Sequence, residues 1–167
     1  MRSGDVMKGA LAGAAAGLLA SFVMNQFQAV WSKAEEELSA GGEDEDDSGD
    51  EPATVKAADK AARTVTGEPL PEEAKEPAGQ AVHYATGAVL GAIYGGLAEL
   101  APAVTAGYGA AYGTAVNLVL DEAIVPALGL GPSPFKTPLK THAYGAASHS
   151  VFGLVLEIGR RLIRSRL

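Results

Sequence analysis

Four long apolar stretches, separated by polar or charged segments, dominate the pattern of hydrophobic positions along the chain. A helix needs about 20 predominantly apolar residues to cross the hydrocarbon core of a bilayer, and all four stretches fall near or above that length. Prolines and arginines stand at several of their boundaries, as expected where helices end. The pattern predicts an all-α fold, a four-helix polytopic transmembrane bundle, with spans at Gly9 to Trp31, Gln80 to Leu100, Ala103 to Ile124 and His142 to Ile158.

Two alternatives to this topology are open. The stretches could be buried helices of a soluble protein, because the mean hydropathy is only +0.10, although four spans of similar length with charge confined between them favour the membrane. The first stretch could be a cleaved signal peptide, since Arg2 and Lys8 precede it. It is longer than the roughly 7 to 15 apolar residues of a signal peptide, and no A-x-A motif follows it, so an uncleaved helix is favoured.

Small residues recur at four-residue intervals within the apolar stretches, beginning with Gly9, Gly13, Gly17 and Ser21. This spacing places them on one face of a helix. Glycine costs roughly 1 kcal/mol relative to alanine inside a water-exposed helix, whereas in lipid it permits close backbone approach between helices. We therefore expect glycine-stripe packing, a glycine zipper, within the bundle or between copies in a homo-oligomer. The other stripes contain Gly87, Gly91 and Gly95, then Gly109 and Gly113, then Gly145 and Gly153.

Acidic residues are concentrated in one segment, because residues 35 to 76 hold 15 of the 20 acidic groups in a chain of net charge −7. This balance argues against nucleic acid as a partner. The absence of cysteine excludes disulfides and thiolate metal sites. The chain divides into residues 1–31 (N-terminus and transmembrane helix 1), 32–79 (an acidic loop with a short helix) and 80–167 (transmembrane helices 2–4 and a basic cytoplasmic tail).

The acidic loop has two parts of different character. The first, Gly41 to Pro52, is of low complexity and self-repelling, which is typical of a disordered, solvated spacer. The second, Ala53 to Val65, places apolar residues on one helical face and ends before Gly67. We therefore predict a short amphipathic helix on the outer surface of the bundle.

Lysine and arginine residues near the span ends set the expected orientation. Four arginines follow the fourth span, and Arg2 and Lys8 precede the first. Positive residues favour the cytoplasmic side of a membrane, so both termini are expected there. Glu157 at this inner interface is expected to pair with Arg160 or Arg161 one turn further on. The expected location is the bacterial inner (cytoplasmic) membrane, crossed several times, with the lipid bilayer as the main partner.

Polar side chains inside the spans are costly in hydrocarbon and need partners. On the fourth span, His142 and His149 share the face of the small residues, which should point into the bundle. With both termini cytoplasmic, the intramembrane polar residues fall mainly in the outer half of the spans. They form a candidate polar cluster: Asn25, His83, Asn117, Asp121, Glu122, His142 and His149.

Three interpretations of this cluster are open. Histidine and amide hydrogen bonds could tie the helices together. The imidazoles and carboxylates could form a proton- or ion-responsive site, because histidine is the side chain that changes charge near neutral pH. The three histidines could bind a metal with Asp121 or Glu122, although no local spacing such as H-E-x-x-H supports this.

No catalytic motif is recognisable. The sequence contains no G-x-S-x-G motif, no P-loop and no cysteine, so no nucleophile has a base at a readable spacing. We expect neither an enzyme nor a bound cofactor.

Two segments carry a resemblance to a known family. LGLGPSPFKTPLKTHAYGAASHSVFGLVLEIGRRLIRSRL combines a GL-x-P loop, a histidine in the last span (His149) and an E-I-x-R-R exit beginning at Glu157. AGQAVHYATGAVLGAIYGGLAE, with His83 and Glu99, precedes it. Over about half of the chain, these features resemble the YagU-type inner-membrane family of unknown function. The resemblance implies a small polytopic inner-membrane protein with no established reaction, and the acidic insert departs from the pattern of that family.

The leading functional hypothesis is a structural or accessory membrane protein of unknown biochemical activity, with envelope or acid stress as one setting for it. The alternative is a small transporter or a proton- or ion-conducting oligomer that uses the intramembrane histidine and carboxylate cluster. The sequence indicates no substrate.

Overall fold

The computed structural model describes residues 3–39 and 51–167, and all regular secondary structure in these two ranges is helical. The acidic spacer predicted over Gly41 to Pro52 lies outside the described residues, apart from its last two positions. The main helices are α1 (Ser3–Ser39), α2 (Ala53–Thr66), α3 (Glu72–Leu100), a composite α4 and α5 (Leu139–Arg164). Helix α4 is α-helical over Ala110–Val116, π-helical over Asn117–Ile124 and α-helical again over Val125–Ala127. Short 3-10 segments at Pro102–Gly109 and Pro134–Lys136 precede α4 and α5.

The third apolar stretch is not the single helix that the sequence predicts. Its backbone leaves the helical region at Ala106 and has positive φ angles at Gly107, Tyr108 and Gly109. These conformations interrupt the hydrogen-bond ladder of a helix, so α4 begins only at Ala110. The prediction of one helix from residue 103 onward was wrong because the same glycines that form a packing stripe also permit a turn.

Length and composition identify one helix that could cross a membrane in the described part of the chain. It is Gly4–Leu38, within α1, with a mean hydropathy of 1.6. The other three apolar stretches are diluted by glycine and by polar side chains such as His83 and Asp121. The all-helical class is therefore established by the structure, whereas the four-span bundle stays a prediction.

Helices α1 and α3 are antiparallel and touch along their small residues. A methyl group on Gly13 would overlap the carbonyl oxygen of Gly91, and one on Gly91 would overlap the carbonyl oxygen of Gly13. Only glycine therefore permits this backbone-to-backbone contact. Three pairs of glycines face each other in this way: Gly9 with Gly95, Gly13 with Gly91, and Gly17 with Gly87.

Helices α4 and α5 repeat the antiparallel contact. Gly109 faces Gly153, and Gly113 faces the backbone of His149. Gly109 is constrained twice, because its φ of +86° is unfavourable for other residues and because a methyl group there would overlap the carbonyl oxygen of Gly153.

The two antiparallel helix pairs, α1 with α3 and α4 with α5, use the same spacing of contact residues. The series on α3 is Gly87, Gly91, Gly95 and Glu99, and the series on α5 is Gly145, His149, Gly153 and Glu157. His149 thus stands where α3 has Gly91. By the same correspondence, Asn117 on α4 stands where α1 has Gly17, because they face Gly145 and Gly87, respectively.

Helix α1 is central, because it packs on α5 as well as on α3. Ala16, Ala20 and Met24 form one buried cluster with Phe152 and Leu156 of α5. Alanine keeps the two helix axes close, so much of the bundle interior is made of small side chains and backbone.

The amphipathic segment forms α2, which packs on α3. Val55 is buried, and Gly79 of α3 provides the room, because a methyl group there would lie 2.5 Å from Val55 Cγ2. Asp59 accepts hydrogen bonds from Arg63 Nε at 2.7 Å and from the backbone N–H of Leu70 at 2.8 Å. These two donors hold the pKa of the Asp59 carboxyl below its usual value, and they tie the end of α2 to the chain that leads into α3.

Candidate functional site

A cavity of about 780 Å³ lies at the end of the bundle opposite to the start of α1 and the end of α5. Its wall includes the second half of α1, the first half of α3, the π-helical part of α4 and the first half of α5. The segment of residues 131–137 and the start of α2, at Ala53 and Thr54, complete it. Cavities of roughly 300–1,000 Å³ are typical of ligand sites.

Each bundle helix contributes polar side chains to the cavity wall. They are Ser21, Asn25 and Gln28 of α1, Gln80, His83 and Thr86 of α3, Asn117, Asp121 and Glu122 of α4, and Thr141, Tyr144 and His149 of α5. Met24 and Phe152, both buried in the core, form part of the wall as well. The cavity therefore combines apolar surface with hydrogen-bonding groups from four separate helices.

The structure places six of the seven residues of the candidate polar cluster along this one cavity, and His142 is the exception. Sequence reasoning missed several other lining residues, including Gln28, Gln80, Thr86 and Tyr144. A signal for Gln28 was present, because Ser21, Asn25 and Gln28 follow the spacing of one helical face. The contribution of residues 131–137 had no such signal, since an irregular segment carries no periodicity.

His142 holds the segment before α5 against α4. Its Nδ1 lies 2.7 Å from Glu122 Oε1, and its Nε2 lies 3.1 Å from the backbone oxygen of Pro134. Both partners can only accept a hydrogen bond, so an imidazolium ring that carries two N–H groups satisfies both. The negative charge of Glu122 is then offset by His142.

The carboxylate of Asp121 has longer contacts than that of Glu122. Asn117 Nδ2 donates to Asp121 Oδ2 at 3.3 Å, and His149 Nε2 lies 3.5 Å from the same oxygen. His149 Nδ1 lies 3.1 Å from the carbonyl oxygen of Gly145, which can only accept, so Nδ1 carries a proton. In a neutral ring, Nε2 then presents a lone pair toward Asp121. The Asp121 side chain is 41% exposed, which leaves part of the carboxylate open to the cavity.

Amide and imidazole groups join α1 and α3 on the other side of the cavity. Asn25 Nδ2 donates to Gln80 Oε1 at 3.2 Å. His83 Nε2 lies 3.5 Å from the backbone oxygen of Ser21. The Ser21 hydroxyl is buried and has no hydrogen-bond partner within the described residues, so this wall offers one unused polar group.

The cavity begins where the α4–α5 pair departs from the glycine contacts that the α1–α3 pair makes. Asn117 and His149 occupy positions equivalent to glycines of the α1–α3 pair. A methyl group on Gly145 would lie 2.9 Å from Asn117 Nδ2. The π-helical stretch also begins at Asn117, and π-helical turns are frequent at functional sites. At Gly145 the contact is thus made by the side chain of Asn117 rather than by glycine backbone, and Asn117, Gly145 and His149 all line the cavity at this level of the bundle.

The part of the chain that the structure describes contains no cluster arranged for a metal. No group of three or more histidine, aspartate or glutamate side chains converges there closely enough to hold a metal ion. His142 pairs with Glu122 and with the backbone oxygen of Pro134, and His149 pairs with the backbone oxygen of Gly145 on its own helix, so the metal interpretation of the cluster has no support in these residues.

The opposite end of the bundle is closed by a buried ion cluster around Glu157, whose side chain is 0% exposed. Glu157 accepts hydrogen bonds from Arg160 at 2.7 and 3.0 Å and from Arg161 at 2.5 Å. The expected pairing with one arginine is thus a pairing with both. The hydroxyl of Tyr94 on α3 donates a further hydrogen bond at 2.9 Å, which the sequence did not indicate.

A second set of ion pairs links three helices at this end. Arg164 Nε of α5 donates to Glu99 Oε1 of α3 at 2.9 Å, and Arg164 Nη2 lies 3.4 Å from Asp5 Oδ1 of α1. Lys8 Nζ also donates to the backbone oxygen of Leu167 at 2.6 Å. The bundle is therefore sealed at one end by charge pairs and contains a cavity at the other.

Comparison with known proteins places this helical bundle in a family. Residues 68–158 match the family described as Protein of unknown function (DUF1440). The match covers more than half of the chain, so the chain belongs to this family. The matched range contains all of α3 and α4 and most of α5, and with them every residue of the candidate polar cluster except Asn25. No curated protein and no solved structure gives a match.

Proposed function

We propose that this chain is an integral membrane protein with four spanning segments, and that its cavity takes up a small polar solute from the side opposite to the termini. The observation that carries the proposal is the convergence of polar groups from four helices on one cavity of ligand size. Such groups are costly in a membrane unless they are paired or face a water-filled cavity, and they commonly mark the path of a solute or ion. The transporter alternative raised by the sequence is thus favoured over a purely structural or accessory role.

The membrane part of the proposal is supported by which side chains face outward. Leu11 and Phe22 of α1, Val89 of α3 and Leu118 of α4 are at least half exposed, whereas the helix contacts are made by glycine and alanine. In water this arrangement would leave large apolar surfaces uncovered. In lipid it is favourable, because outward aliphatic side chains meet acyl chains while small residues pack helix against helix.

The proposed orientation follows from the basic residues. Arg160, Arg161 and Arg164 lie at the end of the bundle where α1 begins, and positive residues favour the cytoplasmic face. The cavity then opens toward the outside of the bacterial inner membrane. We also propose, as part of this assignment, that the chain is related to the YagU-type inner-membrane family.

The glycine zipper is part of the proposal as well. The stripes on α1 and α3 face each other within one chain, as do those on α4 and α5. A homo-oligomer, which stays a prediction, would therefore form through the outward aliphatic faces rather than through the glycines.

Cysteine accessibility tests the proposal directly, because the natural chain has no cysteine. We would place single cysteines at Thr86 in the cavity wall, at Val89 on the outer face of the same helix, and at Ser165 near the other end. A membrane-impermeant maleimide is then added to intact spheroplasts. We expect Thr86→Cys to be labelled, Val89→Cys to be protected by lipid, and Ser165→Cys to be labelled only after permeabilisation.

Two results would reject parts of this proposal. Equal labelling of Val89→Cys and Thr86→Cys would place both faces of α3 in water, and the proposal that α3 spans a membrane would be rejected. Protection of Thr86→Cys even in detergent would show a closed interior, which favours the structural or accessory role.

A further inference from the structure

We infer that the solute held in this cavity is a small organic cation, an alkylammonium whose N–H donors bind between Asp121 and His149. This inference rests on the proposed solute-binding function and names the class of ligand. It is carried by three features of the cavity: its charge, the hydrogen-bonding roles of its side chains and its apolar surface.

The charge of the cavity is negative. Asp121 and Glu122 are its acidic groups, and no lysine or arginine lines it among the described residues. Glu122 is paired with His142 at 2.7 Å, so its charge is already offset. Among the described residues, the closest polar groups to the Asp121 carboxylate are the Asn117 amide at 3.3 Å and the His149 ring at 3.5 Å. An uncompensated carboxylate in a confined site favours a cation over an anion.

The hydrogen-bonding roles point to a ligand that donates. His149 Nδ1 donates to the carbonyl oxygen of Gly145. His149 Nε2 lies 3.5 Å from Asp121 Oδ2 and does not form the short contact of 2.7 Å that joins His142 to Glu122, so the ring in its neutral form offers an acceptor at Nε2. Asp121 Oδ2 is a second acceptor 3.5 Å away. Two acceptors at this distance repel each other unless a proton or a donor group lies between or beside them. An ammonium group has several N–H donors and a positive charge, so it satisfies both acceptors at once.

The apolar surface distinguishes an organic cation from a metal ion. Tyr144, Phe152 and Met24 line the same cavity, and aromatic faces attract ammonium groups while covering their carbon chains. The described residues hold no group of three side chains arranged for a metal. The volume of about 780 Å³ also exceeds what a bare ion needs.

The test compares two probes that differ mainly in the sign of their charge, n-butylammonium and butyrate. Binding to the full-length protein in detergent is measured by isothermal titration calorimetry at constant ionic strength. We expect n-butylammonium to bind and butyrate not to bind. Asp121→Asn should weaken n-butylammonium binding at least tenfold, while Glu73→Gln, which removes the same charge from an exposed position on α3, should leave it unchanged.

A second measurement avoids changing the site, in case Asp121→Asn does not fold. On the Thr86→Cys background, n-butylammonium should slow maleimide labelling at least threefold, and butyrate should not. Butyrate binding as strongly as n-butylammonium, unchanged affinity in Asp121→Asn, or binding of magnesium chloride alone would overturn the inference. If Thr86→Cys is labelled from outside but n-butylammonium neither binds nor protects, the inference of a cationic ligand is wrong, while the proposal of a solute-accessible cavity is retained. If Thr86→Cys is never labelled, the proposed function itself fails.

Discussion

Gly13 of α1 and Gly91 of α3 face each other so closely that a methyl group on either would overlap the carbonyl oxygen of the other. The contact is made by backbone alone. It fixes the separation of the two helices and, with the glycines above and below it, the position of every side chain that α1 and α3 contribute to the cavity.

Gly91→Ala is expected to destabilise the bundle by about 2 kcal/mol, because the helices must move apart to admit the methyl group. Gly96→Ala is the matched control on the same helix. Its methyl group would lie 3.7 Å from Val6 Cγ1, an ordinary contact, and alanine is the better helix former by about 1 kcal/mol. Thermal unfolding in detergent, followed by circular dichroism, measures both. Equal effects of the two substitutions would show that α1 and α3 do not touch at Gly91.

Glu157→Gln is expected to cost about 3 kcal/mol, because it removes the closest counter-charge of the buried Arg160 guanidinium and leaves, within the described residues, only Glu99 at 3.7 Å. Asp5→Asn is the control at the same end of the bundle. Its carboxylate is 46% exposed and 3.4 Å from Arg164, so its loss should cost less than about 0.5 kcal/mol. Reversible unfolding in mixed detergent gives both free energies. If Glu157→Gln left the free energy of unfolding unchanged, the ion cluster would be solvated rather than buried.

His142→Ala should release the segment that precedes α5, because the ring bridges Glu122 and Pro134. The readout is the rate of tryptic cleavage after the exposed Lys136, which we expect to rise several-fold. His83→Ala is the control, since His83 lines the cavity but makes no hydrogen bond to that segment. A cleavage rate that rises equally in both variants would point to general loosening of the bundle instead.

The link between α2 and the turn before α3 should weaken in acid. Hydrogen bonds from Arg63 and Leu70 hold the folded pKa of Asp59 below its usual value, so the unfolded segment takes up a proton first as the pH falls. The stabilisation from Asp59 is complete above that usual value and is lost as the pH drops through the folded pKa. Hydrogen exchange of the Leu70 amide, corrected for its intrinsic rate, should show protection falling in this window. Asp59→Asn should show reduced protection at every pH, and a pH-dependent Asp59→Asn would assign the effect to another group.

Part of this fold could be read from the sequence. The apolar stretches located α1, α3 and α5, although the helices extend beyond the predicted ends because polar residues such as Glu72 and Arg164 continue the same helices. The four-residue spacing of small side chains located the contact faces. Periodicity could not predict which small-residue stripe contacts which other stripe, because that depends on how the helices are arranged in space.

Other features had no local signal. The positive φ of Tyr108 is not encoded by the type of that residue, and the break before α4 lies next to the contact between Gly109 and Gly153, which joins positions far apart in the chain. Tyr94 reaches Glu157 across the bundle, a contact between positions that are far apart in the chain. The polar residues of the cavity were predicted as a set, but the pairing of His142 with Glu122 required the structure.

Membrane extraction tests the central claim most directly, because every step above depends on outward aliphatic faces that meet lipid. Membranes of expressing cells are washed with alkaline sodium carbonate, sedimented and then treated with a mild detergent. We predict that the protein stays in the pellet after the wash and enters solution only with detergent. A chain that is released by carbonate and is helical and monodisperse in buffer without detergent would contradict this account.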